Sequence, residues 1–328
     1  RNSLLSVQAI ESIRNFGLIG VYVLEPAEPL PPMTQEDLEF ERFQIKAVSA
    51  IEEELDRILK TRKQSRIQTI ADMVIRNYGH LDEKINFYQN LRSLEDYVSR
   101  HSLNVAILCA MITHVMNIRR EEQYHTVCAA LLHDMGKLKK HEDVYFGAPY
   151  SREDAIRNCE TQEEAYSVIE DAFATEGPAI RRICQQAAGK QLDLFPEEGK
   201  ESRYKMLEGS NVLLVANRYD EITAMTLQGT AQSEVKAAQE LLEHPEVYDP
   251  ETVQALLRSI NILPPGASVE LSTGEKALVL RENKENVLCP TVVSFRDNSI
   301  LDLALPQNED IQIVDVMKTM DNRYILKK

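Results

Sequence analysis

A mainly α-helical protein, with a small α/β segment at its start and a short β unit at its end, is what this sequence predicts, on three observations. Between residues 36 and 75 apolar side chains recur at three- and four-residue steps in a heavily charged background. From Leu81 to about Ile262 one helix-like stretch follows another, with few strand signals and with loops at Gly147–Ala148–Pro149, Gly177–Pro178 and Gly189. After Pro264–Pro265–Gly266 the texture changes to short alternating runs broken by turn residues.

In chain order, Leu4 to Phe16 reads as an apolar helix and Ile19 to Leu24 as a strand, which makes residues 1–33 the end of a small α/β unit. Pro26, Pro29, Pro31 and Pro32 interrupt regular structure, and Thr34 with the acids Glu36 and Asp37 starts a helix. Residues 34–80 read as one long amphipathic connecting helix, with Phe40, Phe43, Ile45, Val48, Ile51, Leu55, Ile58 and Leu59 on its stripe. Such a stripe can pack on a second copy in a homodimer as well as on its own domain, the latter being the simpler expectation. Residues 81–263 form a helical domain, and residues 264–328 a β-rich unit. Its strands are Val269–Leu271, Ala277–Arg281, Thr291–Phe295 and Ile311–Val316, with turns at Thr273–Gly274, Asn283 and Asp297–Asn298.

With 328 residues and 43% apolar side chains the chain can bury a sizeable core. Its 52 acidic against 37 basic residues leave a net charge of −15, which disfavours extended nucleic-acid contact but leaves room for a small anion pocket. The five cysteines, Cys109, Cys128, Cys159, Cys184 and Cys289, are scattered without the paired short spacings of metal sites, and read as reduced, mostly buried thiols. No apolar run approaches a membrane span and no signal-peptide core opens the chain, so the expected location is the cytoplasm. A start at Arg1 rather than Met leaves room for an upstream region.

The segment Cys128 to Lys137 carries the most chemistry: an apolar helix runs directly into His133 and Asp134, followed by Gly136 and Lys137. Adjacent helical residues point about 100° apart, so both reach one metal only from a suitable turn. Gly136 allows the helix to end there, and Lys137 can meet a phosphate. Imidazole with carboxylate suits Fe, Mn or Zn. His101 opens another helical run, Tyr97 to Ala106.

These segments resemble the HD-GYP subgroup of the HD-domain phosphohydrolases. Its "YTxxHSxxVA" and "AALLHDIGK" patterns are close to Tyr97–Ala106 and Ala129–Lys137, and its "ILAVADVFDALT" helix to Val212–Thr223. The resemblance implies metal ligands at His101, His133 and Asp134, with Asn217 where the subgroup has an Asp. Asp220, three residues on, would orient Lys137 or a ligand histidine, or form a surface salt bridge. "HPxxGYxIL" corresponds to Thr161–Ile169, with Thr161 in place of a histidine. "HHExxDGxGYP" corresponds to Ala187–Pro196, with Ala187, Ala188 and Gly189 in place of two histidines and an acid. The loop that names the subgroup survives as Phe195–Pro196. Ile13–Leu18 with Val21–Val23 is similar to the end of a domain found ahead of such modules, and Pro265–Gly274 to the subgroup's tail.

The resemblance therefore implies a degenerate site holding one divalent ion weakly, or none, in a module of cyclic di-nucleotide (cyclic di-GMP) signalling with weak or no catalysis. One alternative is an active cyclic di-GMP phosphodiesterase with Lys137 and Asp134 as catalytic residues; another is a scaffold for protein partners. His80, His114, His125, His141 and His244 have no matched position and read as surface or core histidines, and the Lys137, Lys139, Lys140, His141 cluster reads as a solvated turn.

Overall fold

A computed structural model describes residues 35–87, 89, 91–139, 151–196, 205–226 and 231–317. The expected α/β segment over residues 1–33 lies outside them. The first described element is α1 (Gln35–Thr61), whose Ile51, Leu55 and Ile58 are fully buried. The long helix expected over residues 34–80 is two helices, α1 and α2 (Ile67–Tyr78). Arg62 takes a left-handed φ of 56° between them. The Glu54 carboxylate, buried on the apolar side of α1, accepts the backbone N–H groups of Ser65 and Arg66, so the donors at the start of α2 are satisfied from within α1.

A two-residue strand, β1 (Leu91–Arg92), precedes α3 (Tyr97–Val115), followed by α4 (Arg120–Leu132) and a 3-10 turn over Met135–Lys139. Helices α5 (Arg152–Phe173), α6 (Gly177–Gln191) and α7 (Glu208–Thr223) complete the bundle. α3, α4 and α7 pack on one another, and nearly every residue of α3 and α7 is buried. Helices buried all round are apolar almost all round, so the polar residues they retain must find partners in the core. Strand β2 (Met225–Thr226) follows α7 directly and pairs in parallel with β1, Arg92 opposite Thr226.

Two short helices, α8 (Glu234–Glu243) and α9 (Pro250–Ser259), lead into an antiparallel sheet of β3 (Ser268–Leu271), β4 (Lys276–Arg281), β5 (Thr291–Ser294), β6 (Ile300–Asp302) and β7 (Ile313–Val316), in the order β6-β5-β4-β3-β7. Both α8 and α9 start on a side-chain cap, Ser233 and Asp249. Gly274, at φ 78°, makes the β3–β4 turn. The expected strands are present within a few residues. β6 is additional: its three residues include the exposed Ile300 and carry no alternation to read. Residues 34–316 form one compact unit, so residues 80 and 263 mark changes of structural type within it. No described helix is long and apolar enough to cross a membrane.

Because α1 buries its stripe in this unit, Ile51→Ala should lower stability by about 2–5 kcal/mol. Urea unfolding followed by circular dichroism should show an earlier midpoint at unchanged slope; a loss under about 1 kcal/mol would mean that α1 is a detachable connector.

Candidate metal centre

Four side chains from three helices meet at one point. His101 lies in the second turn of α3 and is fully buried. His133 caps α4 in helical conformation, its N–H reaching the Ala129 carbonyl at 2.8 Å, and Asp134 follows as the chain tightens into the 3-10 turn. That tightening turns both neighbours to one side. Asn217 enters from the middle of α7. The helix ends before Gly136, which is not left-handed. Gly136 is required by closeness: a Cβ there would stand 2.5 Å from both Gln162 Oε1 and the Thr161 carbonyl of α5.

The Nε2 atoms of His101 and His133 are 3.1 Å apart, and Asn217 Oδ1 is 2.9 Å from each. Asp134 brings Oδ2 to 3.5 Å from His101 Nε2 and Oδ1 to 3.9 Å from His133 Nε2. The other ring nitrogens are taken: His101 Nδ1 donates to Asp220 Oδ2 at 2.6 Å, and His133 Nδ1 to the Ala130 carbonyl at 2.8 Å. Each Nε2 therefore carries a lone pair turned inward, the arrangement that orients imidazoles towards a metal. Donors bound to one ion at about 2.1 Å stand about 3.0–3.4 Å apart; the two Nε2 atoms and Asn217 Oδ1 stand close to that spacing and the Asp134 oxygens somewhat beyond it, a set that could hold one divalent ion.

Buried partners hold each carboxylate. Burial alone would raise the Asp134 carboxyl; Lys137, His133 and His101 outweigh it and keep it below the usual carboxylate range. Lys137 Nζ lies 2.7 Å from Asp134 Oδ2, and Gln162 donates to Oδ1 at 3.2 Å while its own oxygen accepts the Gly136 N–H at 2.9 Å. Lys137 is thus the counterion of Asp134. Asp220 is fully buried, and Arg92 and His101 likewise outweigh burial to keep it ionised. It serves His101 rather than Lys137, and no surface salt bridge is involved. Burial lowers His133, against the pull of Asp134.

A cleft of about 30 Å³, room for an ion and a water or two, opens beside His133 and Asp134. Ala187 and Ala188 line it from α6, as the sequence correspondence places them. Thr161 does not line it; Gln162, one residue on, does. Glu221, one helical turn after Asn217, also faces the cleft, held by Gln191 Nε2 at 3.0 Å, and burial raises its carboxyl. Gln162, Glu221, Arg92, Gln89 and Asn104 are the site residues that sequence reasoning missed. Gln162 adjoins a motif position and could have been reached from it; the others carry no local signal. His114 pairs with Asp82 and His244 with Glu246, away from the centre. Lys140 and His141 lie outside the described residues. The five cysteines are unpaired, three of them buried.

A helical unit with a buried His-His-Asp cluster is the class defined by fold and site. The HD-domain family model matches residues 98–225, a stretch that spans all four converging residues. No curated protein and no solved structure matches the chain.

Gly136→Ala should push α5 off the turn that carries Asp134, lowering stability by about 1–3 kcal/mol and weakening metal uptake. Thermal melting and Zn²⁺ titration check this; a variant matching the parent in both would show that the turn has slack.

Proposed function

We propose that the chain is a one-ion HD module of cyclic di-nucleotide signalling, which binds a divalent metal weakly through His101, His133, Asp134 and Asn217 and hydrolyses phosphoesters slowly or not at all. The balance of charge carries this reading. Asp134 is matched by Lys137 at 2.7 Å, and Asp220 by Arg92 at 2.7 Å. Both carboxylates nearest the donor atoms are therefore matched before an ion arrives, and of the residues lining the cleft only Glu221, raised by burial and beside Arg218, would be left to answer the two charges of the ion. Asn217 offers an oxygen but no charge. Turned by half a rotation, its amide would give an N–H to each Nε2, so the same residue can satisfy the two rings when no ion is bound.

Bound there, an ion would supply Lewis-acid polarisation of a phosphoryl oxygen and a more acidic water. The chain's own part is to fix the two imidazoles, to hold Asp134 through Lys137 and Gln162, and to close most of the cleft to solvent. Ala187 and Ala188 give no ligand for a second ion, and the cleft among the described residues has room for little beyond the first. A working phosphohydrolase using His101, His133 and Asp134 is the second reading. Favouring it, the donor atoms of His101, His133 and Asp134 are already oriented by outer hydrogen bonds, as catalysis requires.

Protein dialysed to equilibrium against Mn²⁺ or Zn²⁺ should take up one ion per chain above the buffer level by elemental analysis, and His133→Ala should take up none. Absence of metal in the parent protein would sink the metal reading and leave a scaffold for protein partners. Turnover of bis(p-nitrophenyl) phosphate or cyclic di-GMP that disappears in His133→Ala would instead establish the hydrolase. Asn217→Asp adds the missing charge and should tighten Zn²⁺ binding at least about tenfold, on the order of 1.4 kcal/mol. Calorimetric titration checks it, and unchanged or weaker binding would contradict the charge argument.

A further inference from the structure

We infer that Arg92, which touches no ligand atom, is a positioning residue that holds the His101 ring from two sides and so sets its Nε2 for the ion. The inference rests on the metal-binding reading above. The Arg92 fork grips both oxygens of Asp220, Nη1 to Oδ2 at 2.7 Å and Nη2 to Oδ1 at 2.8 Å. Asp220 Oδ2 also accepts the Nδ1–H of His101 at 2.6 Å. A bidentate pair fixes the plane of a carboxylate as well as its place, and the plane here sets the direction in which Nδ1–H must point. The second hold is aromatic: the guanidinium carbon lies 5.4 Å from the centre of the Tyr97 ring, and Tyr97 stacks on His101 with centroids 5.5 Å apart and planes 29° apart. Edge and face of the imidazole are thus both referred to one guanidinium.

Arg92 is itself locked. It is 1% exposed, it pairs through its backbone with Thr226 just beyond α7, and its Nη2 also donates to Gln89 Oε1 at 2.6 Å. Gln89 returns to Asp220 Oδ1 at 2.8 Å and to Thr223 Oγ1 at 2.9 Å, and Asn104 adds a bond to the same Oδ1 at 3.0 Å. The two-residue pair β1–β2 thereby registers Arg92 against the helix that carries both Asp220 and Asn217. A lysine could supply the charge but not the fork.

Arg92→Ala and Arg92→Lys test this with two readouts: Zn²⁺ affinity by competition with a chromophoric chelator, and the His101 tautomer in ion-free protein from long-range ¹H–¹⁵N spectra. The ion-free parent should show His101 protonated on Nδ1. Arg92→Ala should lose that signature and about 10–100-fold in affinity, the loss typical of removing the partners that orient a ligand; Arg92→Lys should fold and lose an intermediate amount. Affinities within about twofold of the parent together with an unchanged His101 signature would overturn the inference, and if Arg92→Ala does not fold, Arg92→Lys decides on the same two criteria. A parent that takes up no Zn²⁺ counts against the metal reading alone, because the tautomer in ion-free protein still reports on Arg92.

Discussion

The ionised carboxylate of Asp220, fully buried, is the constraint on which the arrangement of the bundle turns. A buried charge is tolerated only when it is paired and its lone pairs are filled, and removing one partner of such a pair costs about 3–5 kcal/mol. Asp220 is filled by Arg92, Gln89, Asn104 and His101, drawn from the segment before α3 and from α3 itself. Gln44 of α1 reaches Asn104 Oδ1 at 3.3 Å and joins the first helix to the same network. An apolar core would let these helices slide with little penalty; a satisfied polar network does not, because each shift breaks several bonds at once. The position of α3 against α7, and with it the separation of His101 from Asn217, follows from that network.

The outer bonds explain why the inner atoms meet as they do. With Nδ1 of each histidine committed to an acceptor, Nε2 has no proton to offer, and Asn217 as placed presents an oxygen to both. Asp134 stands close behind, its charge answered by Lys137. This separates orientation from charge. The outer bonds orient His101, His133 and Asp134, while Asn217 brings an oxygen without a charge. Ala187 and Ala188 on α6 bring no donor atom to that wall of the cleft.

Much of this was legible in the sequence, and the limits have a physical cause. The helical class and the strands of the last unit come from periodicity, which is local. His101, His133, Asp134 and Asn217 come from short motifs, which are local too. The break after Thr61 was hidden because a buried glutamate eleven and twelve residues away does the capping that a Gly or Pro usually announces. Arg92 and Asp220 are 128 residues apart, Gln162 and Asp134 are 28 apart, and neither pair leaves a periodic trace. Gln162 lines the cleft and Thr161 does not, because the face of a helix changes by about 100° per residue while a motif correspondence fixes only a position in the sequence.

Retained ligand residues are not by themselves a record of retained chemistry. His101 supplies one of the donors that Asp220 needs, and His133 satisfies the Ala130 carbonyl near the end of α4, so each would be kept for folding alone. Folding does not account for what the inner sides do. A core histidine committed through Nδ1 is most stable with a donor or an apolar neighbour at Nε2; here two such nitrogens face each other at 3.1 Å with the Asn217 oxygen and a carboxylate alongside. Four converging acceptors repel one another in a medium of low dielectric. A proton, a rotated Asn217 amide or a cation would each relieve that repulsion. The convergence of these atoms is held in place by outer bonds that the fold needs for its own stability.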